Sequence, residues 1–231
     1  MTKTELKSRW KFENNFLSII KANCQGEEHN ARDLKGIPYG DNRNRNSLEN
    51  ITFKFVDFSF ASFENCNFIG LSFAKCIFKD VDFSDLRQWN CKFENCLFEK
   101  ANFNNATLGV KNDFRGCIFL QAKLKGKYFS FGEFNLFDSC NFLHCDIRSA
   151  WIIATRFESC VFESIFKNVR FSGEVEAKIS GNYPATLTNC NLTKSIFRDV
   201  EIMDGAKFEK TSLPAQKHER INNDRIYYRS T

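Results

Sequence analysis

Ten cysteines and three histidines are the residues of this 231-residue chain that could support catalysis or bind a metal. His144 and Cys145 are adjacent, and a thiol beside an imidazole can act as a nucleophile with its base. Cysteines at close spacing can also bind zinc. No C-x-x-C pair occurs, however, and neither a phosphate-binding loop nor a hydrolase motif is present. The sequence therefore predicts that the protein is not an enzyme and holds no metal and no cofactor.

The cysteines belong to a larger pattern, in which phenylalanine returns every fifth residue. The anchors of this pattern are Phe53, Phe58, Phe63, Phe68, Phe73, Phe78 and Phe83, followed by Phe93, Phe98 and Phe103. A period of five fits neither an amphipathic helix nor an ordinary strand, so it indicates a repeating architecture. A small or aliphatic residue stands two positions before each anchor.

Nine cysteines occupy that small position, where a thiol acts as a compact hydrophobic group. They are Cys66, Cys76, Cys91, Cys96, Cys117, Cys140, Cys145, Cys160 and Cys190. Cys145 is therefore predicted to point inward and His144 outward, because adjacent strand residues face opposite ways. We expect free, buried thiols in a reducing compartment.

The run from Ile51 to Leu213 resembles the pentapeptide-repeat family, whose pattern is a small residue, any residue, Leu or Phe, and two more polar residues. The resemblance implies an all-β solenoid, namely a right-handed quadrilateral β-helix with about twenty residues per coil. Roughly eight coils at about 4.8 Å each would make a rod on the order of 40 Å long.

The two ends depart from the repeat. Within residues 1–50, Thr2 and Glu5 have capping-box spacing, which predicts a helix from Thr4 to Ala22. This helix is interpreted either as a cap on the solenoid or as an amphipathic helix for a membrane or a partner. Residues 25–50 are predicted to be a linker, although residues 31–36 resemble one stray repeat. Residues 214–231 are predicted to form a polar C-terminal tail.

A loop at residues 172–186 interrupts the repeat inside the 51–213 solenoid. It contains Gly173, Gly181 and Pro184, which break the five-residue period. Loops on a rigid scaffold often carry recognition. The loop is interpreted either as a tolerated insertion or as a binding element.

Outward positions just before every fourth anchor contain mostly aliphatic residues. They are Asp57, Ile77, Leu97, Ile118, Asn141 and Val161. The opposite side collects Ile69, Trp89, Trp151 and Ile153, and Gln88 at an anchor position suggests that Trp89 has turned inward. Apolar surface of this kind indicates either packing within the chain or a partner site. The candidate partner-binding residues are Ile77, Leu97, Ile118, Val161 and Trp151.

The first functional hypothesis is a non-enzymatic scaffold that presents this rigid surface to a protein partner. The alternative follows from the resemblance, because the best-known relatives protect DNA gyrase from quinolones. In this alternative, the protein binds DNA gyrase or topoisomerase IV by partial DNA mimicry and thereby protects the enzyme against quinolones or toxins. A DNA mimic needs ordered carboxylates, yet residues 51–213 hold 20 basic and 19 acidic side chains.

The neutral total still leaves room for one acidic side, since Asp80, Asp82, Asp85, Glu94 and Glu99 cluster in the early coils. Direct nucleic-acid binding through Lys123, Lys125 and Lys127 is disfavoured, because three lysines on a charge-balanced surface are usually a solvated patch and no cluster of exposed aromatic residues for stacking is evident.

Assembly and location are predicted from the ends of the chain and from its hydropathy. The apolar C-terminal segment that joins gyrase-protecting relatives into dimers is not evident, so the sequence leaves a homodimer open without supporting it, and Tyr227 and Tyr228 are interpreted as a cover for the last coil. No apolar stretch approaches the length of a membrane span, and residues 1–15 are too polar for a signal peptide. A cytoplasmic location is expected.

Overall fold

The computed structural model shows a four-sided β-solenoid in which parallel strands of consecutive coils lie in register. It describes residues 2–13, 15–40, 43–172, 184–203, 205–222 and 225–229. The predicted all-β solenoid of about eight coils is confirmed, since eight strands stack on one side. Most of the loop at 172–186, namely residues 173–183, lies outside the described residues.

We number the four sides by their inward residues, beginning with Phe53 for side one, Phe58 for side two, Phe63 for side three and Phe68 for side four. Side one is the eight-stranded sheet of Thr52–Lys54, Ser72–Ala74, Lys92–Glu94, Asp113–Arg115, Leu136–Asp138, Arg156–Glu158, Thr186–Thr188 and Lys207–Glu209. The early part of side four is the four-stranded sheet of Ser47–Glu49, Asn67–Ile69, Arg87–Trp89 and Thr107–Val110.

Side two begins with Arg32–Asp33 paired to Val56–Asp57. A nine-stranded sheet then extends from side two around the later coils. Its strands are Leu97–Glu99, Ile118–Leu120, Lys123–Leu124, Asn141–Arg148, Trp151–Ile152, Val161–Phe171, Ile196–Ile202, Glu219–Asn222 and Arg225–Tyr228.

The anchor phenylalanines fill the interior as stacked columns. On side two, the Phe119 ring stacks on Phe98 and Phe142 with centroid separations of 4.6 Å in both directions. On side one, Phe73 stacks between Phe53 and Phe93 at 4.8 Å. Stacked aromatic pairs add to the stabilisation from area burial. The five-residue period therefore reflects one inward ring per side of each coil.

A left-handed backbone residue two positions after an anchor turns the chain at most corners. Asn65, Asp80 and Asn95 have φ values of 56°, 53° and 51°, and glycine takes the same position at Gly70 and Gly116. Asn, Asp and Gly tolerate this region best. The polar residues of the repeat thus have a backbone role as well as a solvent-facing one.

Insertions in the middle coils are accommodated by buried asparagines. The Asn112 side-chain oxygen accepts from the Cys91 backbone N–H at 2.7 Å, and that of Asn135 accepts from Asn112 N–H at 2.7 Å. Both side-chain amides donate to the Leu108 carbonyl at 2.6 Å. These bonds satisfy the backbone where an extra residue breaks the ladder.

The N-terminal segment holds two short helices, Lys3–Ser8 and Phe16–Ala22, and not the single helix predicted from Thr4 to Ala22. The predicted capping box at Thr2 and Glu5 is present. Asn15 caps the second helix through a bond to Ser18 N–H, so the chain restarts a helix there. Ile20 of this helix is buried in the core. No helix among the described residues is long and apolar enough to cross a membrane.

The prediction of a linker at residues 25–50 is wrong, because these residues form an irregular first coil. Arg32 pairs with Val56, and Ser47 pairs with Asn67. The inward residues of this coil are Leu34, Ile37 and Leu48, all fully buried. Their spacing is not five, which explains why the pattern did not reveal the coil, although the stray repeat at 31–36 lies in register.

The C-terminal segment forms a hairpin where a polar tail was predicted. Glu219–Asn222 pairs antiparallel with Arg225–Tyr228, which in turn pairs with Ile196–Ile202. Tyr228 is buried, with its ring centroid 5.0 Å from that of Phe197. The hairpin therefore covers a strand edge that would otherwise be open to other chains.

Six of the nine inward cysteines stack in one column at the corner before side two. They are Cys76, Cys96, Cys117, Cys140, Cys160 and Cys190, all buried and free. Each thiol beyond the first hydrogen-bonds a carbonyl of the preceding coil, as Cys160 does to Phe137 at 3.2 Å. Outside the column, burial raises the pKa of Cys66 and Cys145 to about 12.

Native thiol reactivity should be confined to Cys24, the one cysteine that is not fully buried. Because reaction requires an accessible thiolate, an aromatic disulfide reagent at neutral pH should titrate one thiol quickly and nine more only in denaturant. Absorbance of the released thiolate measures both numbers. Rapid native reaction of several thiols would contradict the inward register, and a Cys24→Ser variant identifies the fast one.

Candidate partner-binding surface

The predicted apolar ladder exists as a column of outward residues on side two. Backbone pairing places Ile77 beside Leu97, Leu97 beside Ile118, and Ile118 beside Asn141. Asn141 then pairs with Val161. Ile118 is 38% exposed, and the other aliphatic members are partly exposed. Whether a partner uses this column stays a prediction.

A second apolar pair, Leu120 and Leu143, widens the ladder, and the sequence analysis did not include it. These residues follow the anchors Phe119 and Phe142 and pair with each other directly beside Ile118 and Asn141. Both are partly exposed. We call Ile77, Leu97, Ile118, Leu120, Leu143 and Val161 together the side-two patch. The signal for this pair is present in the sequence, because an aliphatic residue follows each of the two anchors where most other anchors are followed by a polar residue.

Leu120 and Leu143 form the second column of the patch, and an ion pair lies at each end of that column. Lys79 Nζ lies 2.8 Å from a Glu99 carboxylate oxygen, and this hydrogen bond raises the pKa of Lys79. At the other end, Lys194 Nζ lies 2.7 Å from Glu163. An aliphatic centre with a polar rim is the usual anatomy of a protein interface.

The N-terminal segment limits the patch at Ile77 and leaves the later coils open. A hollow of about 430 Å³ lies between the first helix and side two, lined by Leu6, Asp57, Ile77 and Lys79 among others. The first helix is held away from the later coils by Arg9, which bonds Asp33 at 2.9 Å, and by Trp10, which donates to the Lys35 carbonyl at 2.8 Å. The segment therefore borders the patch instead of covering it.

Trp151 lies on side four, across the rod from the side-two patch. It pairs with Arg170, whose guanidinium lies 5.7 Å from the indole centroid, and it is 54% exposed. Trp89 also faces outward, so the prediction that it turns inward is wrong. Gln88 is the buried residue instead, and neither of its side-chain polar atoms has a hydrogen-bond partner among the residues that the structure describes.

The early carboxylates do not gather on one side. Glu94 follows the side-one anchor Phe93, Glu99 follows the side-two anchor Phe98, and Asp82 lies on side three. Glu99 of this group also pairs with a cation, since its carboxylate lies 2.8 Å from Lys79 Nζ. Ordered acidic surface of the kind a DNA mimic needs is therefore not formed by this group.

The residues singled out for chemistry are separated by the fold. Cys145 is buried, while His144 is exposed at a corner with a φ of 54°. No group of three or more His, Cys, Asp or Glu side chains is placed to hold a metal ion within the part of the chain that the structure describes.

Comparison with known proteins agrees with this architecture. The family model for pentapeptide repeats matches residues 47–85 with 8 copies. The chain carries pentapeptide repeats. The strand register described above extends the same repeat geometry to Lys207–Glu209.

Solved pentapeptide-repeat structures resemble this chain at low identity. Trypsin-treated QnrB1, a plasmid-mediated fluoroquinolone resistance protein, is 21% identical, with 80% of this chain and 92% of QnrB1 covered and a TM-score of 0.33. HetL, involved in heterocyst differentiation regulation in the cyanobacterium Nostoc sp. strain PCC 7120, is 15% identical over 79% and 85%, with a TM-score of 0.26.

Rfr23 from the cyanobacterium Cyanothece 51142 is 13% identical over 90% of this chain and 100% of Rfr23, with a TM-score of 0.20. These TM-scores are low, so the fold rests on the strand register and the repeat model. No curated protein matches the sequence.

Proposed function

We propose that this pentapeptide-repeat chain is a protein-interaction scaffold that binds its partner through the side-two patch. The observation that carries the proposal is the arrangement of six aliphatic side chains in two adjoining outward columns, with an ion pair at each end of the second. Strand backbones hold these side chains in place, so binding them costs little conformational entropy.

The dimensions of the patch indicate the kind of partner. Five coils at about 4.8 Å give a length of roughly 20 Å, and two columns give a width of about 10 Å. A stable interface buries about 800 Å² on each partner. The partner therefore needs an apolar strip for the patch and polar groups for the Lys79–Glu99 and Glu163–Lys194 rims.

The test is affinity capture by the wild-type chain and by an Ile77→Lys/Leu97→Lys variant, with proteins from the native host. Buried lysines without partners are costly at an interface, so the double variant should lose at least about 90% of the specifically captured protein. A Thr52→Lys/Ser72→Lys variant adds the same charge on side one and should retain capture. Equal capture by all three proteins would exclude the side-two patch as the binding site.

The topoisomerase alternative is not favoured by a specific observation, because the early carboxylates are spread over three sides. It is tested in the same experiment by adding purified DNA gyrase and topoisomerase IV at low salt. Binding that weakens with salt and survives the side-two substitutions would support partial DNA mimicry over the scaffold proposal.

A further inference from the structure

Side three carries most of its cations in the later coils, which the near-neutral total charge conceals. In its early coils the charged side chains include the carboxylates of Glu64, Asp82 and Asp85, and Arg45 donates to the Asp85 backbone carbonyl at 2.9 Å. In the following coils they are mostly cations. Four of these form a basic column with one member per coil: Lys125, Arg148, Lys167 and Arg198.

Backbone pairing sets the spacing of the basic column. Arg148 pairs with Lys167, and Lys167 pairs with Arg198. Lys125 follows Leu124, which pairs with Ile147, so Lys125 is the neighbour of Arg148. Consecutive members are therefore about 4.8 Å apart along the rod axis. Such a row would repel itself unless anions lie along it.

Only part of the column is neutralised by the protein itself. Asp146 lies 2.6 Å from Lys125 Nζ and also pairs with Arg148, so one carboxylate serves two cations. Lys167 and Arg198 are exposed, and neither has an ion-pair partner among the residues that the structure describes. The column therefore retains positive charge for an external anion.

Two exposed aromatic side chains lie at the corner between this column and side four. Tyr128 is 62% exposed and Trp151 is 54% exposed. Leu124 pairs with Ile147, and the Phe134 N–H donates to the Ala154 carbonyl at 2.8 Å. Tyr128 comes just before Ser130, which pairs with Thr107 of side four, and Trp151 begins the side-four strand of the next coil, so both residues lie near the start of side four in consecutive coils. Lys127 Nζ lies 5.1 Å from the Tyr128 ring centroid and adds a further cation.

We infer that the basic column and the Tyr128–Trp151 corner form a binding surface for single-stranded nucleic acid. A row of cations that follows a phosphate backbone, beside aromatic faces on which bases stack, is the combination that single-strand binding requires. The aromatic pair favours a nucleic acid over an acidic peptide, because a peptide needs only the cations. Paired bases would not offer their faces, so a duplex fits less well.

This surface lies apart from the side-two patch, so the inference does not depend on the proposed scaffold role. It also departs from the sequence-based expectation, in which lysines 123, 125 and 127 had no cluster of exposed aromatic side chains beside them. Tyr128 follows Lys127 in the sequence, whereas Trp151, Lys167 and Arg198 are brought to this region only by the pairing of consecutive coils.

The test is fluorescence anisotropy of labelled oligothymidine and oligouridine of about 15 nucleotides, with the purified full chain. Four cations and Asp146 leave three charges for phosphate contacts, so the dissociation constant should rise about 20-fold between roughly 50 and 200 mM salt. Lys167→Glu/Arg198→Glu should weaken binding at least about tenfold, because two contacts become repulsive. Trp151→Ala should weaken it by about tenfold, and Trp151→Phe should restore most of the loss.

Matched controls separate this site from general charge effects. Lys54→Glu/Lys92→Glu makes the same charge change on side one and should alter the dissociation constant less than about twofold. Thermal unfolding of each variant checks that the fold is retained. The inference fails if the oligonucleotides do not bind at low salt or if the side-one variant loses as much binding as the side-three variant. Equal or tighter binding of a duplex, or equal binding of polyglutamate, would also overturn it.

Discussion

Replacing Phe119 with alanine should lower the free energy of unfolding by about 3–5 kcal/mol. The ring is 1% exposed and stacks on both neighbouring coils at 4.6 Å. Truncation would leave a cavity between two rings that are held by their own strands, so little collapse can compensate. Urea unfolding followed by circular dichroism measures the change.

Phe12 provides the matched control for this prediction because it is 88% exposed. Phe12→Ala removes the same atoms and should change stability by less than about 0.5 kcal/mol. A Phe119→Ala variant that loses less than about 1 kcal/mol would mean that the interior is not packed around the anchor column.

Raising the pH above about 9 should unfold the protein, because its buried thiols resist ionisation. Burial raises the pKa of Cys66 and Cys145 to about 12 and that of Cys91 to about 11, from an ordinary value of 9.0. Their folded pKa lies above the unfolded one, so stability is complete below pH 9 and is lost as the pH rises toward the folded pKa. Each thiol then removes up to about 1.4 kcal/mol per pH unit.

Between pH 9 and 11 these three thiols together remove on the order of 6 kcal/mol, comparable with the whole stability of a typical domain. The measurement is the free energy of unfolding in urea at several pH values between neutral and alkaline. A Cys66→Ala/Cys91→Ala/Cys145→Ala variant should show a shallower alkaline slope, whatever its stability at neutral pH. A wild-type free energy that stays constant to about pH 11 would contradict the burial of these thiols.

The fold was predictable because one physical requirement repeats at every side of every coil. An inward ring at each anchor and a small residue two positions earlier leave a five-residue signature that survives single insertions. The first coil was missed because Leu34, Ile37 and Leu48 lack that spacing. The C-terminal hairpin was missed because its strands pair antiparallel with Ile196–Ile202 and have few apolar residues.

The candidate surface was predictable only in part, because an outward residue has no packing requirement that marks it. Counting coils placed Ile77, Leu97 and Ile118 in one column correctly. Counting did not show that Leu120 and Leu143 lie beside them, since only one outward position of each repeat had been considered.

The grouping on side three depends on slips in the repeat. The Phe162 to Phe166 step is one residue shorter than the standard spacing, and it brings Lys167 into line with Arg148. The residues inserted between Leu124 and Phe137 place Tyr128 just before side four, one coil ahead of Trp151. Neither shift can be assigned from a single sequence without the strand pairing.

Photo-crosslinking from two neighbouring sides of one coil tests the central claim most directly. Replacing Ile118 with the photoreactive residue benzoylphenylalanine puts the reactive group on side two. Replacing Arg115 in the same way puts it on side one of the same coil. The scaffold account predicts a discrete partner adduct from position 118 in native cell extract and none from position 115. An adduct from position 115 alone, or no adduct from position 118, would contradict recognition through the side-two patch.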